Sequence, residues 1–381
     1  MSHPAERLKR VIGRFGSGDG PLIITVGGIH GNEPAGVTAS QRVLETLRAR
    51  KPRFRGEYLA LAGNIPALEA GRRYIDEDLN RIWLPDRFAR LDAGFTPATI
   101  EELQLKELRV EVQQASSRAA PDVYFLDLHS TSAAGSAFSI FADTMHNRRL
   151  ANALPCPMVL GLEEHLQGTF LNHINELGYA AVGFEGGQNA SAAAVDAHEQ
   201  GIWKTFVETG CLDATDIPEP IREALENGRN ARLPRIVEIR YLHTIYPGEA
   251  FVMCPGFENL ASVRKGETLA RDQHGEIRSP ETGFILMPLY QAQGTEGFFL
   301  VRRVRPFWLR VSAWLRALGA GNILPFLPGV RRRGEDSLVV DSRIARWLVV
   351  EVFHLLGFRR QRPERDLQVF TRRRENPRPL P

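Results

Sequence analysis

From residue 21 onward, short apolar runs alternate with stretches of helical periodicity, and no other feature of this chain restricts its fold as tightly. Strands buried on both faces read as unbroken apolar runs, and the segments between them supply the covering helices. The alternation therefore predicts an α/β sheet with helices on both faces. Pro21-Leu22-Ile23-Ile24-Thr25-Val26 reads as the first strand, closed by Gly27-Gly28. A helix is expected from near Pro34, a residue suited to a first helical turn, to about Arg50. Further strands are expected at 57–62, 122–128, 138–142 and 179–184, with an amphipathic helix over about 99–118.

Sheets of this kind hold ligands beyond the carboxyl ends of their strands. His30 and Glu33 follow the first strand, His129 follows Leu126-Asp127-Leu128, and Glu185 follows Val182-Gly183-Phe184. Hydrolytic zinc usually takes three His or carboxylate ligands and keeps a position for water. His30 and Glu33 alone would ordinarily be a surface salt bridge, and His129 alone a satisfied core histidine. With several strands aiming ligand-type side chains at one sheet edge, a single zinc held by His30, Glu33 and His129 becomes the better reading. Asp127 and Ser130 flank His129 and can fix its tautomer. Cys156, Cys211 and Cys254 are odd in number and lack CxxC spacing, which argues against a disulfide framework and a thiolate metal site.

Glu185 emerges from an apolar strand beside Gly186 and Gly187. Burial would raise its pKa and a nearby cation would lower it, leaving a carboxylate poised to shuttle protons. In RYIDEDLNR, residues 73–81, the ordinary reading is a charged loop. Yet an arginine can hold a carboxylate bidentately, an asparagine can add a hydrogen bond, and an amide hydrolase needs a donor where charge grows on the scissile carbonyl. Arg73 and Arg81 could divide those tasks.

GIHGNE, RYIDEDLNR, DLHS and FEGG, in this order, resemble the motifs of the succinylglutamate desuccinylase/aspartoacylase family, a branch of the zinc carboxypeptidase superfamily, over about residues 20–305. The resemblance implies a zinc-carboxypeptidase-like, mixed and mostly parallel sheet. It implies metal binding by His30, Glu33 and His129, polarisation of the scissile carbonyl by Arg73, carboxylate binding by Asn80 and Arg81, and general acid/base work by Glu185. The activity implied is zinc-dependent amide hydrolysis of an N-acyl amino acid or similar small carboxylate-bearing molecule; a carboxypeptidase acting on short peptides is the alternative. Where the family carries another substrate-binding arginine shortly before its catalytic glutamate, HINELGYAAVGFE offers only His173 and Asn175. Tyr290 is a candidate for the family's substrate-contacting tyrosine.

Three domains are expected: residues 1–230 as the hydrolase, 231–305 as a small all-β barrel or sandwich, and 306–381 as a partly helical, arginine-rich extension. Residues 302–381 hold 18 Arg, no Lys and 7 acidic residues, a net +11 within a chain of net +3. Such a tail could meet nucleic acid or anionic lipid, and could tether a non-catalytic binding protein. The simpler reading is a solvated, salt-bridged surface over a core. Trp308, Val311, Leu315 and Leu318 recur at helical spacing, and Ile344, Trp347, Leu348, Val352, Leu355 and Leu356 suggest a second helix. A homo-oligomer is compatible with this composition. With 43% hydrophobic residues, no apolar run of membrane-spanning length and no signal-like start, a cytoplasmic enzyme is the default expectation.

Overall fold

The computed structural model describes residues 8–118, 122–227, 232–334, 336–341, 344, 349–360 and 367–372. Its first seven strands are β1 (Val11–Gly16), β2 (Leu22–Gly27), β3 (Glu57–Ala62), β4 (Val123–Thr131), β5 (Phe138–Ile140), β6 (Met158–Leu160) and β7 (Ala180–Gln188). The expected strands are all present; β1, a half-exposed edge, and the three-residue β6 are additional. The expected helices run Ala35–Arg50 and Ile100–Arg118.

Every residue of β2 is buried, and its side chains divide between two cores. Leu22, Ile24 and Val26 join Leu105, Leu108 and Val112 of the helix Ile100–Arg118. Ile23 turns to the opposite face, where Val43 and Leu47 of the helix Ala35–Arg50 meet Ile202, Trp203 and Phe206 of the helix Ala192–Glu208. Each fully buried Leu, Ile or Val contributes about 1.5–3 kcal/mol, so a strand apolar on both faces is stable only in the middle of such a sandwich.

The remaining strands are β8 (Ile236–Thr244), β9 (Val252–Met253), β10 (Ser262–Val263), β11 (Thr268–Asp272), β12 (Gly275–Arg278), β13 (Gly283–Leu286), β14 (Glu296–Arg303), β15 (Val330–Arg332), β16 (Ser337–Asp341), β17 (Phe358–Arg360) and β18 (Leu367–Arg372). The main sheet has eleven strands in the order β1-β3-β2-β4-β7-β5-β6-β8-β14-β13-β10. It is mixed: β3-β2-β4-β7 and β5-β6-β8 pair in parallel, while β1–β3, β7–β5 and the run β8-β14-β13-β10 are antiparallel.

The segment after residue 231 is rich in strands, as expected, but β8, β14, β13 and β10 extend the main sheet instead of closing a barrel among themselves. Strand β14 shows why. Phe299 and Val301 face the main core, while Phe298 and Leu300 face a smaller one with Met253, Leu269 and Ile285 beneath the sheet β12-β11-β9. One strand with two apolar faces thus serves two cores.

The extension begins with a helix, Pro306–Ala317, and contains a second, Val349–Leu355. Between and after them lies an antiparallel sheet, β15-β16-β18-β17, with a core of Leu324, Val330, Leu338, Val340, Phe353, Leu356, Phe358 and Phe370. The first helix is turned relative to its expected orientation: Leu315 packs against this core and Val311 is half-buried, but the other two expected residues are not covered. Trp308 and Leu318 are exposed, and the helical residues it buries are Ser312 and Arg316. The physical reason is a buried acid: Arg316 donates to the carboxylate of Asp143 at 2.7 Å, and Ser312 accepts from Arg148 at 2.8 Å. Of the second apolar set, Leu356 is buried while Ile344 and Val352 are exposed; Trp347 and Leu348 lie outside the described residues. Among the described residues no helix is long and apolar enough to cross a membrane.

Candidate active site

Strands β2, β4 and β7 lie side by side, and their carboxyl ends bring the polar residues together. The strands run further than their apolar stretches, so His129 and Glu185 sit inside paired strands, directly opposite one another in register. On β4, Leu126 and Leu128 face one core and Phe125 the other. The period of two therefore places Asp127 and His129 on the Phe125 side. Beyond β2 the chain turns sharply through Gly28, at φ +72°, to His30. Gly31 is needed for a close approach: a Cβ there would stand 2.0 Å from the carbonyl carbon of Ala67.

Glu33 is shared by two imidazoles. His30 Nδ1 lies 2.9 Å from its Oε1 and His129 Nδ1 lies 3.0 Å from its Oε2, to which the Ser130 amide also donates at 3.0 Å. The other ring nitrogens face carboxylates: His30 Nε2 is 3.1 Å from Asp78 Oδ1, and His129 Nε2 is 3.0 Å from Asp127 Oδ1. Ligand atoms of His30, Glu33 and His129 all lie within 4.8 Å of one another, and all three residues are buried. Two histidines each turning one nitrogen to a common point and the other to an orienting carboxylate are the arrangement that metal-ligating histidines use. The donor set is the His/His/carboxylate type that suits hydrolytic zinc.

Electrostatics follow from burial without water. Burial opposes ionisation of Glu33, but His30 and His129 outweigh it and hold the carboxyl well below the usual range. Asp78 is likewise held low against its burial, by His30 and Arg73. Glu185 goes the other way: burial, with Glu33 and Asp127 adding to it against His129 and Arg73, pushes its carboxyl up to about 8. Among the described residues its Oε2 has no hydrogen-bond partner.

The 73–81 loop is locked in place. Arg73 donates to Asp78 Oδ2 at 3.2 and 3.0 Å and lies 3.6 Å from Glu33. Asn80 accepts the Phe170 amide at 2.9 Å on Oδ1, which turns its NH2 into the end left for a ligand. Arg81 pairs with Glu296 of β14 at 2.9 Å. Under the loop, fully buried Glu101 accepts from the Ile75, Asp76 and Glu77 amides and from Asn64 Nδ2, at 2.8–3.3 Å.

His30, Glu33, Arg73, Asn80, Arg81, His129 and Glu185 all line one pocket, together with apolar side chains such as Ile140, Phe141, Leu162, Leu171, Met287 and Phe299. Three of the weaker candidates are elsewhere. His173 is buried against Trp83 and Phe88, and Asn175 bonds to Asn147 and the Leu171 carbonyl. The Tyr290 hydroxyl donates to the Cys254 carbonyl at 2.8 Å and accepts the Phe257 amide at 3.0 Å, away from the lining. Sequence reasoning missed Asp78, Glu101 and Glu296. Asp78 lies within the quoted motif and could have been found as an acid five residues from Arg73; Glu101 and Glu296 carry no local signal.

The chain is similar to known proteins in both sequence and fold. Residues 19–202 match the succinylglutamate desuccinylase/aspartoacylase catalytic domain. A probable aspartoacylase of Nostoc sp. is 37% identical over 114 residues, covering 29% of this chain and 35% of that protein. A succinylglutamate desuccinylase of Pseudomonas putida is 34% identical over 115 residues, covering 30% and 32% respectively. The matched stretch thus spans about a third of the length of these curated relatives. In fold, the chain is similar to a succinylglutamate desuccinylase/aspartoacylase from Rhodobacter sphaeroides, with a TM-score of 0.59 at 19% identity, over 77% of this chain and 88% of that one. It is also similar to a product-bound ectoine utilization protein from Ruegeria pomeroyi, with a TM-score of 0.54 at 20% identity, over 76% and 87%. Over residues 19–202, just under half of its length, this chain is therefore similar to the catalytic domain of the succinylglutamate desuccinylase/aspartoacylase family.

Proposed function

We propose that the chain is a zinc-dependent amidohydrolase that removes the acyl group from an N-acyl amino acid or similar small carboxylate-bearing amide. The observation that carries this reading is the buried, unpartnered Oε2 of Glu185 in the same pocket as the His30, Glu33 and His129 donor cluster. A zinc ion held by those three residues would supply Lewis acidity at the scissile carbonyl and lower the pKa of the attacking water. Glu185, whose ionised form a cation in that cluster would favour, accepts the proton of that water as the water oxygen bonds to the carbonyl carbon. It then delivers the proton to the amide nitrogen as the C–N bond breaks, leaving a carboxylic acid and an amine. Arg73 stands ready to stabilise the charge that grows on the carbonyl oxygen. The NH2 of Asn80 and the guanidinium of Arg81 receive the substrate carboxylate, which shares Arg81 with Glu296.

The acyl group is read as apolar. Arg73 and Arg81 are the arginines among the pocket's described lining residues, and no lysine joins them, so a second carboxylate on the acyl chain would lack a cation of its own. Ile140, Phe141, Leu162, Leu171 and Phe299 offer an aliphatic or aromatic acyl chain the burial that a dicarboxylate would forfeit. The decisive variant is Glu185→Gln. It should keep stoichiometric zinc while turnover of N-acyl amino acids falls by about 10²–10⁴-fold. A zinc-loaded variant working near the wild-type rate would sink this assignment.

A further inference from the structure

The first helix of the extension leaves an apolar surface that neither the core nor the pocket uses among the described residues. Phe307, Trp314 and Leu318 are 59%, 63% and 64% exposed. Their spacing of seven and four residues puts them on one helical face with Arg310, opposite the buried Arg316. The following 3₁₀ segment, Ala320–Phe326, packs against this helix and presents Ile323 and Phe326, three residues apart and so on one side, at 62% and 86% exposure. An 86% exposed phenylalanine is surface that water disfavours and that the described residues do not cover.

Charge says what covers it. Residues 302–334 contain eight arginines and neither a lysine nor an acidic residue. Arg302, Arg303, Arg305, Arg310, Arg331 and Arg332 are exposed, and none has an ion-pair partner among the described residues. Arg302, Arg303 and Arg305 line a hollow beside Trp308 together with Arg148, Arg240 and Arg359, six guanidiniums against the carboxylates of Asp143 and Glu238. Protruding Trp, Phe and Ile side chains beside Arg310, and beside Arg331 and Arg332 of the strand that packs on the 3₁₀ segment, match the acyl boundary and headgroups of an anionic bilayer. A two-fold contact with a second copy would set these arginines against one another. Single-stranded nucleic acid could stack on Phe307, Trp314 and Phe326, but would leave the aliphatic Leu318 and Ile323 between them in contact with water, where acyl chains cover all five.

We propose that this face, built on Phe307, Trp314, Leu318, Ile323 and Phe326 and their surrounding arginines, docks the enzyme peripherally on anionic lipid membranes. The test is co-sedimentation of the full chain with vesicles of phosphatidylcholine alone or mixed with phosphatidylglycerol. Affinity for the mixed vesicles should be at least tenfold higher and should fall as salt rises. Trp314→Ser with Phe326→Ser should weaken it at least tenfold while zinc content and hydrolytic rate in solution stay unchanged. Arg310→Glu with Arg331→Glu provides a second, independently folding variant with the same expected loss. The proposal is overturned if neither pair alters sedimentation. It is equally overturned if the serine pair instead abolishes self-association, or instead abolishes binding to DNA by a protein that ignores the vesicles.

Discussion

Replacing Asp143 by Asn should release the extension from the catalytic unit. Asp143 is fully enclosed, and three guanidiniums converge on it. Arg148 Nη2 donates at 3.0 Å, Arg316 Nη2 at 2.7 Å and Arg359 Nη2 at 3.0 Å, all to Oδ2. Arg316 and Arg359 belong to the extension, so one buried carboxylate fastens both parts of the chain. Burial opposes its ionisation, yet Arg316, Arg359 and Arg148 together hold its carboxyl well below the usual carboxylate range.

The magnitude follows from what is left behind. An asparagine of the same shape keeps one acceptor, turns an NH2 toward a guanidinium, and leaves buried cations without their counter-charge. Removing one member of a buried ion pair costs about 3–5 kcal/mol, and three cations sharing the acid place this site at the upper end. Because the folded pKa lies below the unfolded one, the stabilisation is complete above the unfolded value, about 3.9, and is lost only as pH falls below it. The defect should therefore be full at pH 7. Guanidinium unfolding should show the loss, and limited trypsin digestion should clip the arginine-rich extension from the variant at a dose that spares the wild type. A variant within about 1 kcal/mol of wild type, with an equally resistant extension, would refute the reasoning.

Three further outcomes are expected. Glu101→Gln turns an NH2 toward backbone amides that now donate to a carboxylate. Leaving a buried donor unsatisfied costs about 1–3 kcal/mol, and as the 73–81 loop loosens, kcat/KM should drop about tenfold with zinc content intact; a rate within twofold of wild type at full zinc occupancy counts against a positioning role. His173 is pulled down to about 4 by burial, with Arg109 adding to it. Its unfolded value is about 6.5, so the unfolded chain binds the proton first, and stability should fall by about 3 kcal/mol from pH 6.5 to 4 and then level off. In His173→Gln that increment should vanish from the pH dependence of unfolding, and its persistence would place the titration elsewhere. Finally, N-acyl amino acids with apolar acyl chains should exceed their N-succinyl counterparts in kcat/KM by at least about tenfold, since an unpaired buried charge outweighs a few methylenes; a preference for the succinyl compounds would contradict the apolar reading of the pocket.

Which parts of this structure were legible in the sequence follows from the range of the forces involved. Strand β2 and the helix Ala35–Arg50 were readable because a doubly buried strand and a one-sided helix each write their burial into contiguous residues. The candidate metal cluster was readable for a related reason. His30, Glu33, His129 and Glu185 each follow an apolar run, and parallel strands with helical crossovers align their carboxyl ends whatever their order in the sheet. Membership of β8 and β14 in the main sheet was not readable, because an apolar strand records that it is covered but not by what.

The Arg81 end of the pocket and the turned helix escaped for one shared reason: a charged residue was decided by a partner far along the chain. Arg81 could be read as free for a ligand until Glu296, more than two hundred residues later, is placed 2.9 Å from it. Trp308 and Leu318 could be read as core because apolar periodicity ordinarily points inward. Burying that face would bring the hydrophobic gain of a few side chains, about 1.5–3 kcal/mol each. It would also strand Arg316 in solvent and leave Asp143 with fewer cations in a site where an uncompensated charge costs about 3–5 kcal/mol. The ion cluster outweighs part of the apolar gain, and an apolar face that can meet a bilayer loses less by pointing outward. Periodicity alone identifies that a helix has two unlike faces; the buried carboxylate of Asp143 determines which of them turns in.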